Sequence, residues 1–173
     1  HYRNISEEAI HTDDEEPASP PCLESLLSGV SPAPYSRVAF MNYLKISHCS
    51  ENLVFLIQAN QYVITTRNFQ NSLDSTSDVK HYDFVQNERL ILWKLIFNQF
   101  LSHDSPKEVN IPSDLKNQLV FHFNSNSLPQ VELIERTMVT VKELLRDTYL
   151  QFIQHIKRLS PSYQPHHHPS AQC

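Results

Sequence analysis

Glycine is almost missing from this chain: Gly29 is the single one in 173 residues. P-loops and dinucleotide-binding turns need several glycines to bring backbone N–H groups onto phosphates, so those nucleotide cradles are excluded. The same poverty disfavours an all-β fold, whose tight hairpin turns call for glycine at positive φ. Cysteine is scarce too. Cys22, Cys49 and Cys173 are odd in number, lack C-x-x-C spacing and are too few for a disulfide framework, as expected in a reducing compartment. No apolar run approaches the roughly 18 residues of a membrane span, and the first residues offer neither a basic region nor an apolar signal core. Positive charge is also in deficit: 14 Lys and Arg against 19 Asp and Glu leave a net charge of -5, the reverse of a nucleic-acid-binding footprint. Catalytic signatures of the G-x-S-x-G and H-E-x-x-H kinds are missing. His48 and Cys49 are neighbours that diverge by ~100° on a helix and cannot form a dyad. Glu132 and Glu135, with Arg136 nearby, read as a solvated helix flank. Neither an enzyme active site, nor a cofactor, nor a metal centre is expected.

What is present is a helical period. With 40% hydrophobic and 10% aromatic residues the chain is long enough for one buried core and too short for two. Residues 1–21, acidic and Pro-containing, read as a disordered leader, and residues 160–173 as a disordered His- and Pro-rich tail. Asn4-Ile5-Ser6 matches a glycosylation triplet that a cytosolic setting would leave unused. His166 to His168 could hold a metal, but a flexible tail suits their Pro-broken surroundings better. Between the tails, Leu23, Leu26 and Leu27 predict a short helix closed by Gly29. Tyr35 to Leu44 predict a second, capped by Ser36 and ending near Ser47. Leu53, Leu56, Ile57, Phe55, Ala59 and Tyr62 predict a third. The polar residues 63–83 read as a long connection. Leu90, Trp93, Phe97, Phe100 and Leu101 mark the most apolar helix, and Ser113 is the expected cap of the next. Val131 to Leu145 and Tyr149 to Ile156 read either as two helices meeting at Asp147-Thr148, with Asp147 as cap, or as one bent helix.

Three short motifs occur in order on this frame: S-E-N-L-x-F at 50–55, E-V-N-I at 108–111 and D-T-Y-x-x-F at 147–152. Together, over residues 22–159, they resemble the domain of regulators of G-protein signalling, the RGS domain, in the form of a fungal branch. The resemblance implies an all-α fold, a single domain of about nine helices in two subdomains. It implies a protein that is not itself an enzyme but binds the GTP-loaded or transition-state form of a heterotrimeric G-protein α subunit (Gα) and speeds its GTP hydrolysis.

In that reading Asn52 reaches into the Gα switch regions near the glutamine that orients the attacking water. Glu51 and Asn110 match neighbouring contacts, while Asp147 and Thr148 match the acid and the small hydroxyl that meet the first switch. A capping role for Asn52 and Asp147 is the competing reading of the same residues. Four positions depart from the family's pattern. Ser47 stands where an acidic residue is common, Gln151 where an Arg is frequent, Glu143 where a contacting Leu sits, and Leu56 where a Trp follows the Phe. These departures favour an alternative, an RGS-like scaffold that binds a protein without stimulating hydrolysis; retained Asn52, Asn110 and Asp147 favour activity. A metal-binding helical protein using the ten histidines is disfavoured for want of paired spacing. The expected protein is a cytoplasmic monomer, peripheral at the plasma membrane through Gα, with no nucleic-acid partner.

Overall fold

In the computed structural model, which describes residues 19–73 and 79–160, every regular element is helical. Helix α1 spans Leu23–Ser28 and α2 spans Arg37–Ile46. Both have chemically readable ends. The Cys22 sulfur accepts the Ser25 N–H at the start of α1, and Gly29 closes it at φ 82° with its N–H on the Leu26 carbonyl. A Cβ at Gly29 would stand 3.0 Å from the Arg37 guanidinium carbon, and Arg37 Nη1 donates to the Leu27 carbonyl. Glycine is therefore needed there for its backbone angle, and its missing Cβ leaves room for the Arg37 head. Ser36 Oγ accepts the Ala39 N–H and caps α2.

Helix α3 runs from Ser50 to Leu73 and α4 from Val79 to Ile96. The polar connection expected over 63–83 is thus largely helix: only residues 74–78, outside the described part, separate the two. Buried Tyr62, Val63, Thr66 and Phe69 keep the core-facing period through the polar stretch, and the intervening polar residues face solvent. Thr66 stands in that face because its hydroxyl accepts from Arg89 Nε of α4 at 3.1 Å.

Helix α4 passes directly into a π-helical turn, Phe97–Leu101. A loop then leads to α5, Ser113–Asn124, whose N-cap is Pro112 without a side-chain bond, so Ser113 opens the helix rather than capping it. Helix α6 is one element of 29 residues, Val131–Leu159. Asp147 therefore lies mid-helix and caps nothing. The apparent break in its apolar stripe is a drift: Thr137, Val141, Leu145 and Tyr149 are each four apart, so the buried line winds around the helix as its neighbours change. Six α-helices and one π-turn among the described residues replace the expected nine helices. Helix α6 packs on α3, α2 and α5, α3 packs on α4, and the π-turn bridges α4 and α5. Trp93, Tyr62, Phe40, Phe55, Phe100 and Phe152 are the largest fully buried side chains of this one connected core. The leader and tail, with the His166 to His168 run and the Asn4 triplet, lie outside the described residues apart from 19–21 and Ser160. No described helix is long and apolar enough to cross a membrane.

Candidate functional site

The turn between α2 and α3 is a Schellman closure. The Cys49 N–H bonds to the Leu44 carbonyl and the His48 N–H to the Lys45 carbonyl, while His48 sits at φ 54°. This reverses the chain within three residues and starts α3 at Ser50, with Glu51 and Asn52 in its first turn. Cys49 is half-buried, and the Thr148 hydroxyl of α6 is close enough to its thiol to influence it. Burial, reinforced by the Glu51 charge, pushes the thiol pKa up, with the nearby Thr148 hydroxyl opposing. The residue before the first motif and a residue of the third, about a hundred positions apart in sequence, are thus neighbours in space. Ser47 is exposed and its Oγ donates back to the Tyr43 carbonyl, so it finishes α2.

A second contact chain carries Asn110. Phe55, on α3 three residues after Asn52, meets Phe100 of the π-turn edge to face at 5.8 Å. The Phe100 carbonyl accepts the Val109 N–H at 2.9 Å. Val109 is buried and Ile111 packs against the core, so Asn110 between them is turned outward. Glu108 is paired with Lys116 of α5, which holds its carboxyl below the usual glutamate range. Ser105 Oγ, donating to the Gln99 carbonyl, ties the other end of the loop to the π-turn. The loop is thus fastened on both sides of the exposed amide.

On α6, Asp147 and Gln151 are exposed four residues apart and Thr148 lies beside them, half-buried against Cys49. Glu143, one turn earlier, differs from these: Arg146 Nε donates to its carboxylate at 2.7 Å, and Arg146 reaches Glu24 of α1 at 3.5 Å. That pairing lowers the Glu143 pKa. Glu24 also accepts Lys142 at 3.3 Å, and Tyr149 donates its hydroxyl to the Pro21 carbonyl, so this part of α6 is bound to the segment around α1. Among the described residues, no side-chain hydrogen bond engages Asn52, Asn110, Asp147 or Gln151. Asn52 therefore does not cap α3. Cys49, Phe100 and Val109 are the supports that sequence reasoning missed. Of these only the V-N-I alternation around Asn110 carried a readable signal.

A cavity of about 500 Å3 between α1, α2, α3 and α6 is lined by Leu27, Arg37, Leu56, Asn60, Met138 and Lys142 among others and contains none of the expected site residues. The unengaged amides and carboxylates lie outside it, and a flat protein contact needs no cavity. No cluster of three metal-ligating side chains occurs among the described residues. Polar groups at helix starts, on a braced loop and along a helix flank, set on an all-helical frame, are the features of a protein-docking domain.

The chain belongs to the regulator of G protein signaling family, whose domain model matches residues 27–157. It is also similar to the developmental regulator flbA of Emericella nidulans, 34% identical over 86 residues. That match covers 50% of this chain and 11% of the relative, so the chain corresponds to a small part of that protein.

Proposed function

We propose that this domain accelerates GTP hydrolysis by a heterotrimeric G-protein α subunit and so shortens its signal. The observation that supports the reading is the packing of α3 on α6, with Thr148 near Cys49 at the turn that bears Glu51 and Asn52, within a chain of the matching family. Asn110 completes the set from its fastened loop. A Gα carries its own arginine, so an activator need not insert one; it acts by favouring the switch geometry of the transition state with pre-placed donors and acceptors. Asn52 offers an amide to the switch regions, Glu51 and Asp147 offer carboxylates, and Asn110, Thr148 and Gln151 extend the contact. Glu143, held by Arg146, stands at its edge with Ser47. The domain works as a monomer in the cytoplasm, peripheral at the plasma membrane where its Gα is held, and belongs to the family's fungal branch.

Only contacts stronger in the transition state than in the ground state lower a barrier. Binding is therefore expected to be tightest to Gα with GDP and aluminium fluoride, weaker with a GTP analogue and weakest with GDP. Asn52→Ala is expected to abolish both that preference and the acceleration in single-turnover hydrolysis while leaving the melting curve in place. Equal affinity for the three states across a panel of Gα subunits refutes the activator reading. It would favour the second one, a scaffold of the same fold, for which Gln151 and the Arg146-bound Glu143 are the supporting observations.

A further inference from the structure

Arg89 is a buried cation with no anion beside it among the described residues. It is 7% exposed, with Nε on Thr66 Oγ1 at 3.1 Å and Nη1 on Gln86 Oε1 at 3.0 Å, and its guanidinium lies 5.0 Å from the Phe69 ring centroid. The Tyr62 hydroxyl, which donates to the Pro129 carbonyl at 2.8 Å, is also close enough to feel its charge. All of these partners are neutral. Among the described residues no carboxylate lies within ion-pair distance of Arg89. Neutral acceptors and a π-face compensate only part of the cost of removing a cation from water.

Arg89 lines a cavity of about 400 Å3 with Thr66, Gln70 and the residues Leu128 to Glu132. Of these, Val131 and Glu132 open α6, the longest of the described helices, and its N-cap, Gln130, makes no side-chain cap bond. The first N–H groups of a helix lack partners within it and carry the positive end of its dipole. One cavity thus gathers a buried guanidinium, a threonine hydroxyl and an uncapped helix N-terminus. Such a constellation suits a small oxyanion. Glu132 is the one carboxylate on the lining; it is exposed and unpaired with Arg89, and its charge would weaken the site rather than build it.

We infer that this cavity, between α3, α4 and the start of α6, binds an oxyanion of the phosphate class, either as the free ion or as the head of a phosphate monoester. It shares no residue with the surface assigned to Gα.

The test is calorimetric melting and titration of the full chain with inorganic phosphate against chloride at constant ionic strength. Wild type is expected to bind one phosphate and to melt about 5 to 11 °C higher once phosphate exceeds its Kd ~100-fold. Arg89→Met is expected to lose at least tenfold in affinity, and Arg89→Lys, which keeps the charge without the fork, to lose less. Should Arg89→Met fail to fold, Gln130→Asp tests the same site. A carboxylate at the N-cap supplies the anion internally, so this variant should melt higher in chloride and gain nothing from phosphate. Glu132→Gln should bind phosphate more tightly; weaker binding would make Glu132 part of an internal charge pair and overturn the assignment. Glycerol 3-phosphate separates the two sources, binding as well as phosphate if the site reads a monoester and worse if it holds the free ion. A wild-type protein that does not distinguish phosphate from chloride, or one whose phosphate response survives in both Arg89→Met and Gln130→Asp, refutes the site.

Discussion

Phe100 supports two parts of the proposed surface, and its removal should disable both without touching a contact residue. The side chain is fully buried, its ring meets Phe55 at 5.8 Å, and its carbonyl holds the Val109 N–H. Phe100→Ala deletes the ring and leaves the backbone bond, so its cost is the transfer and cavity cost of a buried phenyl, about 3 to 5 kcal/mol. Loss of an edge-to-face aromatic pair is contained in that range, since such pairs contribute about 0.5 to 1.5 kcal/mol beyond area. In a domain of this size each kcal/mol moves Tm by about 2 to 4 °C, so a fall of roughly 6 to 20 °C is expected by calorimetry. Well below the lowered Tm the variant should still be folded, yet its acceleration of Gα hydrolysis should drop, because the first turn of α3 and the Asn110 loop lose their common support. A Phe100→Ala protein melting within ~2 °C of wild type would refute the packing argument. One that melts low but activates fully would refute the link from Phe100 to the site.

Trp93 is 1% exposed, and among the described residues its Nε1–H has no acceptor. Trp93→Ala should cost about 3 to 5 kcal/mol, whereas Trp93→Phe, which also removes an unsatisfied donor, should cost under about 1.5 kcal/mol by urea unfolding. Glu108 has its pKa lowered by Lys116, so its contribution is complete above the ordinary glutamate value and disappears as pH falls through the depressed one. Glu108→Gln should therefore lower Tm at pH 7 and flatten the acid limb of the Tm-against-pH curve, leaving the two proteins alike near pH 2. His48 occupies a left-handed position. His48→Gly should raise stability by about 0.5 kcal/mol, relief of strain outweighing the added freedom of the unfolded chain, and His48→Val should lower it by about 1 to 2 kcal/mol.

Elements with chemically distinct ends were legible before any coordinates. Ser36 and Gly29 are side chains whose capping roles follow from local chemistry, and both perform them. The second half of α3 was not legible, because Thr66 interrupts its apolar face and its reason for being there, Arg89, is 23 residues away. Asp147-Thr148 looked like a junction for a related reason: a stripe spaced by repeated fours drifts around a helix, and sequence does not say which neighbours it is following. The site motifs could be found in order along the chain. Their relative placement could not, since it depends on the packing of α3 against α6 and on the Phe55, Phe100 and Val109 relay across three elements.

The unbroken run of α6 gives the site segments unequal freedom. Asp147 and Thr148 stand about twelve residues from the helix's C-terminal end, beyond the reach of end fraying, in a rod roughly 43 Å long. Asn110 stands on a loop, and Asn52 in the opening turn of α3. Ordering a partner's contact on the rod costs little conformational entropy, while a loop fastened only at its two ends and the first turn of a helix keep more residual motion to lose on binding. Binding should therefore leave amide exchange around Thr148 nearly unchanged and slow it around Asn110 and Asn52. The thermal cost of recognition is concentrated in two short stretches, and stiffening either one is a route to a slower-dissociating complex.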